Sequence, residues 1–159
     1  MSKPACRIKA TFRISIFLLM LQSALPAMAL SADPLRFTDN GDGTVSDHKT
    51  GLMWASRDNG KDIDFEDATS YCGSFSAGGF KDWRLPDIEE LKNLFDAKAK
   101  NADGLGITEK IKLSSCCPWS SYDSTGVSSL LDFRTGKEIW GYKGDKELLR
   151  ALPVRFSEQ

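Results

Sequence analysis

The histidine and the cysteines of this chain are the residues best suited to nucleophilic, redox or metal chemistry. There is one histidine, His48, and there are four cysteines, of which Cys6 lies in an N-terminal segment that we expect to be removed. A Ser–His or Cys–His catalytic pair would have to use His48, which lies in a turn-like stretch beside Asp47 and Lys49. Nothing there supports such a pair, so we expect a surface residue and a protein that is not an enzyme.

The remaining cysteines, Cys72, Cys116 and Cys117, allow one disulfide and one thiol in an oxidising compartment. Cys72 could pair with either of the later two, or these could form a vicinal bridge. We expect Cys72 to pair with Cys116 or Cys117, because closing a loop of more than forty residues restricts the unfolded chain most. A redox switch at the vicinal pair is the functional alternative, and three unpaired thiols are the third possibility.

A C-terminal hairpin combines an aromatic residue with basic ones. Arg134, Lys137 and Lys143 flank Trp140. An exposed tryptophan can stack on a sugar ring, and these cations bind sulfate or carboxylate groups. The four residues are therefore the predicted ligand-binding residues. The alternative is an ordinary solvated hairpin whose basic charge is diluted by neighbouring acidic residues.

The turn at 39–43, Asp-Asn-Gly-Asp-Gly, invites comparison with a calcium-binding loop. Placing Asp42 at position 5 of such a loop and Gly43 at position 6 puts Thr38 at position 1 and Lys49 at position 12. Thr38 is a poor calcium ligand, and Lys49 has a positive charge where a carboxylate is needed. A hairpin turn accounts for the same residues, because Asn-Gly and Asp-Gly favour positive φ. We predict no metal or other cofactor.

Residues 1–29 have the composition of a secretory signal peptide. Four basic residues without an acidic one precede an apolar stretch at 14–25, and Ala27-Met28-Ala29 is a small-x-small cleavage site. The apolar stretch is shorter than the ~20 residues of a membrane span. We expect cleavage, export to the periplasm, the cell surface or the medium, and no membrane span in the mature chain.

The predicted mature chain begins with a loose leader at 30–35, followed by one domain at 36–157. It keeps 17 basic and 22 acidic residues, a net charge of −5. Such a chain is unsuited to mainly electrostatic nucleic-acid binding. About 130 residues suffice for one hydrophobic core.

Local patterns predict an α+β fold in which two helices pack on short, mainly antiparallel strands with long loops. One helix begins after Asp64, and Asp87 with Glu90 forms the capping box of a second. Predicted strands lie at 36–38, 44–46, 52–54, 119–122, 129–133, 138–142 and 149–156. Pro153 favours an edge or a bulge in the last of these.

A series of motifs runs through nearly the whole predicted domain. In chain order they are 37–45 (FTDNGDGTV), 50–54 (TGLMW), Ala68 with Tyr71 and Cys72, 78–86 (GGFKDWRLP), 89–91 (EEL), 119–121 (WSS) and 153–155 (PVR). The ordered set resembles the Lcl C-terminal domain family, which is named for a collagen-like bacterial adhesin. Many members have a cysteine where this chain has Pro153, so the resemblance implies that Cys72 lacks the partner it has in those members.

The resemblance implies a C-type-lectin-like fold, with Trp54, Trp83 and Trp119 in the core. In the adhesin the related domain binds sulfated glycosaminoglycans. An exported binding module for glycans, including sulfated or acidic polysaccharides, is therefore the expected function. The loops at 97–118 and 134–148 would present the binding face.

Two other functions are alternatives. An accessory role, in which the domain binds another envelope or surface protein, would be favoured by a large exposed apolar patch, whereas a basic groove would favour a glycan. The Trp83-Arg84-Leu85-Pro86 block also occurs in the sulfatase-modifying enzymes, which share the lectin-like fold and use a paired-cysteine copper site. The adjacent Cys116 and Cys117 suit a shared metal poorly, so this enzymatic function is less favoured.

Overall fold

The computed structural model describes residues 36–124 and 127–157, and the side chains of 122–124 are outside the description. The predicted signal peptide and leader also lie outside the described residues. Within them are α1 (Phe65–Ser74), α2 (Ile88–Leu94) and a short 3-10 turn (Ala77–Gly79). The strands are β1 (Phe37–Asp39), β2 (Thr44–Asp47), β3 (Leu52–Ala55), β4 (Cys117–Ser124), β5 (Val127–Asp132), β6 (Lys137–Tyr142), β7 (Leu149–Arg150) and β8 (Val154–Phe156). No helix among these elements has the length and apolar character to cross a membrane.

The strands form two four-stranded sheets, and the predicted α+β class is confirmed. The first sheet has the order β1-β2-β3-β8 and is antiparallel throughout. The second has the order β6-β5-β4-β7, and only the short β7–β4 pairing in it is parallel.

The C-terminal segment corrects one prediction. The single strand expected at 149–156 is two strands that belong to different sheets, separated by 151–153. Pro153 has no backbone N–H to donate, which ends ladder pairing there, but its carbonyl oxygen accepts a hydrogen bond from Ala55 at 2.9 Å. The chain thus crosses from one sheet to the other at a proline and joins the two.

The turn between β1 and β2 uses its own acidic side chains. An Asp39 oxygen accepts from the N–H of Gly41 at 2.9 Å, and an Asp42 oxygen accepts from the N–H and hydroxyl of Thr44. Gly43 has a φ of 89°, a conformation that residues with a Cβ rarely adopt. The Asp-Asn-Gly-Asp-Gly sequence therefore closes a hairpin, as predicted.

Both helices begin at aspartates, as predicted. The Asp64 side chain accepts from the N–H of Asp67 at 2.8 Å. At α2 the capping box is complete, since Asp87 accepts from the N–H of Glu90 and Glu90 accepts from the N–H of Asp87. Glu90 also receives two hydrogen bonds from Arg84, of 2.8 and 2.7 Å, so the extended segment before α2 is fixed to its first turn.

The core lies between the helices and the sheets. Trp119 on β4 is fully buried, packs edge-on against Phe65 of α1, and donates its indole N–H to the carbonyl of Ile63 at 2.9 Å. The second helix lies on the other face of that sheet, where Lys92 pairs with Glu138 of β6 at 2.8 Å. Trp54, Trp83 and Trp119 are all buried, which confirms their predicted place in the core.

A buried ion pair joins the first sheet to the end of α2. Arg36 donates to both carboxylate oxygens of Asp47, at 2.9 and 2.7 Å, and to the carbonyl of Asn93 at 2.7 Å. Burial alone would raise the pKa of Asp47, but the hydrogen bonds from Arg36 and from the N–H of Lys49 outweigh it. The pKa of this carboxyl is therefore lowered.

Asp47 should contribute to the acid sensitivity of the fold. Because its folded pKa lies below the usual value of 3.8, its contribution to stability is present above that pH and is lost as the pH falls through the folded pKa. We expect Asp47→Asn to be less stable than the wild type at neutral pH and to lose less stability on acidification. Urea unfolding at pH 7 and pH 3 measures the difference, with the exposed Asp39→Asn as control. Equal pH dependence in wild type and Asp47→Asn would contradict the assignment.

The capping box should stabilise α2 measurably. We expect Asp87→Ala to lower the free energy of unfolding by about 1 kcal/mol, because the backbone N–H of Glu90 loses its side-chain acceptor. Glu89→Ala on the same helix removes an exposed pair with Lys92 and should change it by less than about 0.5 kcal/mol. Urea titration compares the two variants, and equal losses would argue against the cap.

Candidate functional site

The strand β6 presents two aromatic side chains on one face. It pairs with β5 and ends the second sheet among the described residues. Side chains alternate along a strand, so Trp140 and Tyr142 share a face, about 7 Å apart. Their exposed fractions are 57% and 71%. We call these two residues the aromatic edge. The exposure predicted for Trp140 is confirmed, and Tyr142 is an addition that its alternate position on β6 could have indicated.

The other face of β6 is packed more closely. A Cβ on Gly141 would lie 2.9 Å from Leu130 and 3.4 Å from the ring of Trp119, so only glycine allows the strand to approach the core this closely. Ile139, on the same face, is 38% exposed. The strand therefore has one face against the core and one that carries the aromatic edge to the surface.

The basic residues predicted to surround Trp140 do not gather on its face. Lys137 is three residues before Trp140 on β6, and side chains alternate along a strand, so it points to the opposite face. Lys143 lies beyond the strand end, with its ammonium 5.1 Å from the centre of the Phe65 ring. Arg134 lies in the turn before β6 and forms a forked pair with Asp132, at 2.9 and 3.0 Å. The four residues share a hairpin but not one binding face.

Two other cations near this hairpin are paired with carboxylates. Lys92 contacts both Glu89 and Glu138 at 2.8 Å, and Lys146 contacts Asp64 at 2.8 Å. The hydrogen bonds that the Lys92 ammonium donates to Glu138 and Glu89 raise its pKa. The hairpin thus alternates positive and negative groups and does not form a basic groove.

The disulfide connects the two adjacent cysteines, so the predicted long-range bridge is wrong. Cys116 and Cys117 are bonded, with Cα atoms 3.7 Å apart, and Cys72 is a free, buried thiol. The prediction ranked pairings by their effect on the unfolded chain, whereas the folded geometry decides which sulfurs meet. Cys72 faces the core from α1, and burial raises the pKa of its thiol, which makes it unreactive.

A cleft of about 320 Å³ lies beside the disulfide, between the loops at 97–118 and 134–148. Its uncharged walls come from three leucines, two serines and a cysteine: Leu105, Leu113, Leu148, Ser114, Ser115 and Cys116. Asp103 and Arg134 are its charged residues. We call it the disulfide cleft. The two loops that were expected to present a binding face meet at this cleft. The sequence near Ser115 and Leu148 did not indicate a site, because the cleft forms from segments that are distant in sequence.

A buried polar network supports one side of the disulfide cleft. Arg150 donates to the hydroxyl of Ser114 at 2.7 Å and to Asp62 at 2.6 Å. Ser114 in turn donates from its hydroxyl and its backbone N–H to the buried Asp58, at 2.9 and 2.7 Å. Ser114 is therefore held in place and has its hydroxyl hydrogen committed to Asp58.

Leu148 stands at the cleft in an unfavourable backbone conformation. Its φ is 63°, which costs a residue with a Cβ roughly 1–2 kcal/mol, and its side chain is 52% exposed. Its N–H donates to Asp62 at 3.2 Å, the same carboxylate that binds Arg150. The network thus helps to hold a leucine in a conformation that leaves much of its side chain in solvent.

Cys116, Cys117 and Asp132 form the group among residues 36–124 and 127–157 that comes nearest to a metal site, with ligand atoms within 4.8 Å. The two sulfurs are bonded to each other, and the carboxylate of Asp132 is held by Arg134. His48 is exposed, with its Nε2 2.9 Å from the hydroxyl of Thr38. Thus the histidine is at the surface, as predicted, and Cys116 of the disulfide lines a cleft.

These features define a small α+β domain with an exposed aromatic edge and a disulfide-lined cleft. The family model of the Lcl C-terminal domain matches residues 43–155, well over half of the chain. The chain belongs to the Lcl C-terminal domain family. A search of the curated proteins finds no match.

Alkylation and peptide mapping can check the cysteine assignment. We expect no labelling of a natively folded chain of residues 30–159, because Cys72 is buried and the other two cysteines are bonded. Denaturant alone should expose one reactive thiol, and denaturant with a reductant should expose three. Without reductant, the tryptic peptide with Cys116 and Cys117 should be lighter by two hydrogen atoms. A peptide that links Cys72 to either of them would contradict the structure.

Proposed function

We propose that this protein is an exported, non-catalytic binding module with a C-type-lectin-like scaffold, which recognises glycans at the bacterial envelope or cell surface. The observation that carries the proposal is the aromatic edge, two exposed rings on one face of a strand at the end of a sheet. Membership in a family named for an adhesin supports it.

The aromatic edge has the chemistry of a sugar-stacking surface. The faces of Trp140 and Tyr142 can pack against the C–H faces of sugar rings. The phenol hydroxyl of Tyr142 can also bond to sugar hydroxyls. Their spacing of about 7 Å along the strand places two rings within reach of one extended chain. Binding would also remove the apolar surface of these exposed rings from water, which is favourable.

Export is supported by two independent features. The first 29 residues carry the basic, apolar and small-residue regions of a signal peptide. The disulfide between Cys116 and Cys117 persists in an oxidising compartment and is rare in the cytosol. Both features favour the periplasm or the cell exterior.

The positions of the basic residues bear on whether sulfated glycans are preferred over neutral ones, so this preference should be tested first. Lys137 and Lys143 lie away from Trp140, and Arg134 is held by Asp132. Binding through stacking would depend little on salt, whereas recognition of sulfate groups by these lysines would weaken as ionic strength rises.

The test is binding of the exported chain to an array of neutral and sulfated glycans, at low and physiological salt. We expect Trp140→Ala to weaken binding about tenfold or more, because a central aromatic contact is lost. Phe156→Ala is the matched control: this ring is 65% exposed but belongs to the other sheet. Urea unfolding confirms that both variants are folded.

Three outcomes separate the alternatives. Binding that is insensitive to salt and lost in Trp140→Ala supports stacking on the aromatic edge. Binding lost at physiological salt and in a Lys137→Ala, Lys143→Ala double variant supports recognition of sulfate. If no glycan binds at either salt, the proposal fails.

A protein partner is the second candidate, and it is favoured by the edge of β6, which pairs only with β5 among the described strands. Ile139, Trp140 and Tyr142 make this strand the most apolar exposed stretch among the described elements. An extended segment of another protein can add to such an edge by main-chain hydrogen bonding. Capture of a single envelope protein by the wild type and by Phe156→Ala, but not by Trp140→Ala, in the absence of glycan binding, would favour this function.

A further inference from the structure

We propose that the disulfide cleft binds one uncharged sugar residue, as a second subsite of the same glycan-binding domain. The inference rests on the proposed function and adds to it the size and charge of the unit that is recognised. It is carried by the volume of the cleft, the balance of charges around it, and the two devices that fix its walls.

The volume admits a single ring. At about 320 Å³ the disulfide cleft is at the lower end of the ~300–1,000 Å³ range of small-molecule sites. Such a space suits one pyranose with some water but not a disaccharide. A longer glycan would therefore place one unit in the cleft and extend beyond it over the surface.

The charges around the cleft disfavour an anionic ligand. The Arg134 guanidinium lines the cleft, but its positive charge is already balanced by the forked pair with Asp132. Asp103 adds a carboxylate that has no ion pair with another described residue. Together the three groups carry a net charge of −1, so a sulfate or carboxylate would meet more repulsion than attraction.

The same groups suit the hydroxyls of a neutral sugar. Arg134 has five N–H bonds and uses two of them on Asp132, which leaves others for ligand oxygens. Asp103 can accept from sugar hydroxyls, and the Ser115 hydroxyl, which has no hydrogen bond to another described side chain, can donate or accept. Leu148 and Cys116 offer apolar surface to the C–H face of the ring.

Two local features, the vicinal disulfide and the left-handed backbone of Leu148, fix the walls of the cleft. The disulfide joins neighbouring residues, so it closes the smallest of loops and restricts the unfolded chain very little. Its effect lies in the folded state, where it holds the backbone of Cys116 and Cys117 beside the cleft. Leu148 is the one residue other than glycine with a positive φ in the described ranges, and it stands at the same cleft.

The experiment is an NMR titration of the exported chain, with its disulfide intact, against methyl glycosides of glucose, galactose, mannose and N-acetylglucosamine. Glucuronate and glucose 6-sulfate are the charged counterparts. We expect at least one neutral glycoside to shift the amide signals of Ser114, Ser115 and Cys116. The charged counterparts should bind about fivefold more weakly, the effect of one unit charge at ~4 Å in water.

Two variants make the test specific. Asp103→Asn removes the carboxylate charge and should reduce or abolish the discrimination against glucuronate. Leu148→Asn keeps a residue that tolerates the left-handed backbone but removes the apolar wall. It should weaken neutral sugar binding severalfold without lowering the urea midpoint, so that a loss of binding cannot be ascribed to unfolding.

The possible results are distinguishable. The inference is overturned if no neutral glycoside shifts the cleft amides, or if glucuronate or glucose 6-sulfate binds more tightly than every neutral one. If glycans bind on the array and Trp140→Ala abolishes this, while Asp103→Asn and Leu148→Asn leave it unchanged, the cleft inference fails and the proposed function stands. If the monosaccharide binds in the cleft but the array shows no glycan, the proposed function fails, and the cleft is a monosaccharide site but not a second subsite of a glycan-binding domain.

Discussion

A guanidinium in a protein interior must be surrounded by hydrogen-bond acceptors, and in this small domain Arg150 meets that requirement with groups from separate parts of the chain. Asp62 precedes α1, and Ser114 precedes β4 and is itself held by Asp58. Arg150 and Asp58 are buried, whereas the Asp62 side chain is 51% exposed. Removing a buried member of the set would cost about 3–5 kcal/mol, because its buried partner keeps its desolvation penalty. The geometry of the loops is therefore tied to the stability of the fold, and the shared Asp62 carboxylate carries that constraint to Leu148 at the cleft.

A second constraint, the alternation of side chains along a strand, separates the aromatic and the basic character of the hairpin. The core needs Gly141 against Trp119, which fixes the face of β6 that turns inward. Once that face is fixed, Trp140 must point outward and Lys137 must lie on the opposite side. Closeness in sequence therefore does not make a joint binding site here. The surface that results offers stacking area with balanced charges around it.

The sequence was informative where local physics decides the outcome and uninformative where distant segments meet. Capping residues such as Asp87, and the Asp-Gly turn before Thr44, act within a few residues, so the helix starts and the hairpin could be predicted. The division of the last strand at Pro153 was foreseen only as an irregularity, because the sheet that each half joins depends on tertiary packing. The cysteine pairing was missed because loop entropy describes the unfolded chain, while the proximity of Cys116 and Cys117 belongs to the folded one.

The disulfide lies beside the cleft and not between the helix and the sheet of the core. A bridge from Cys72 to β4 would have connected a helix to a sheet. Cys72 is instead a free thiol on the buried face of α1, where it packs in the core. The stability of the domain comes instead from its buried tryptophans and its arginine–carboxylate pairs. The disulfide lies at the edge of a cleft where the two long loops meet, and because it closes the smallest of loops it restricts the unfolded chain very little. Variation in the loops around such a bridge would alter what the cleft accepts while leaving the core unchanged.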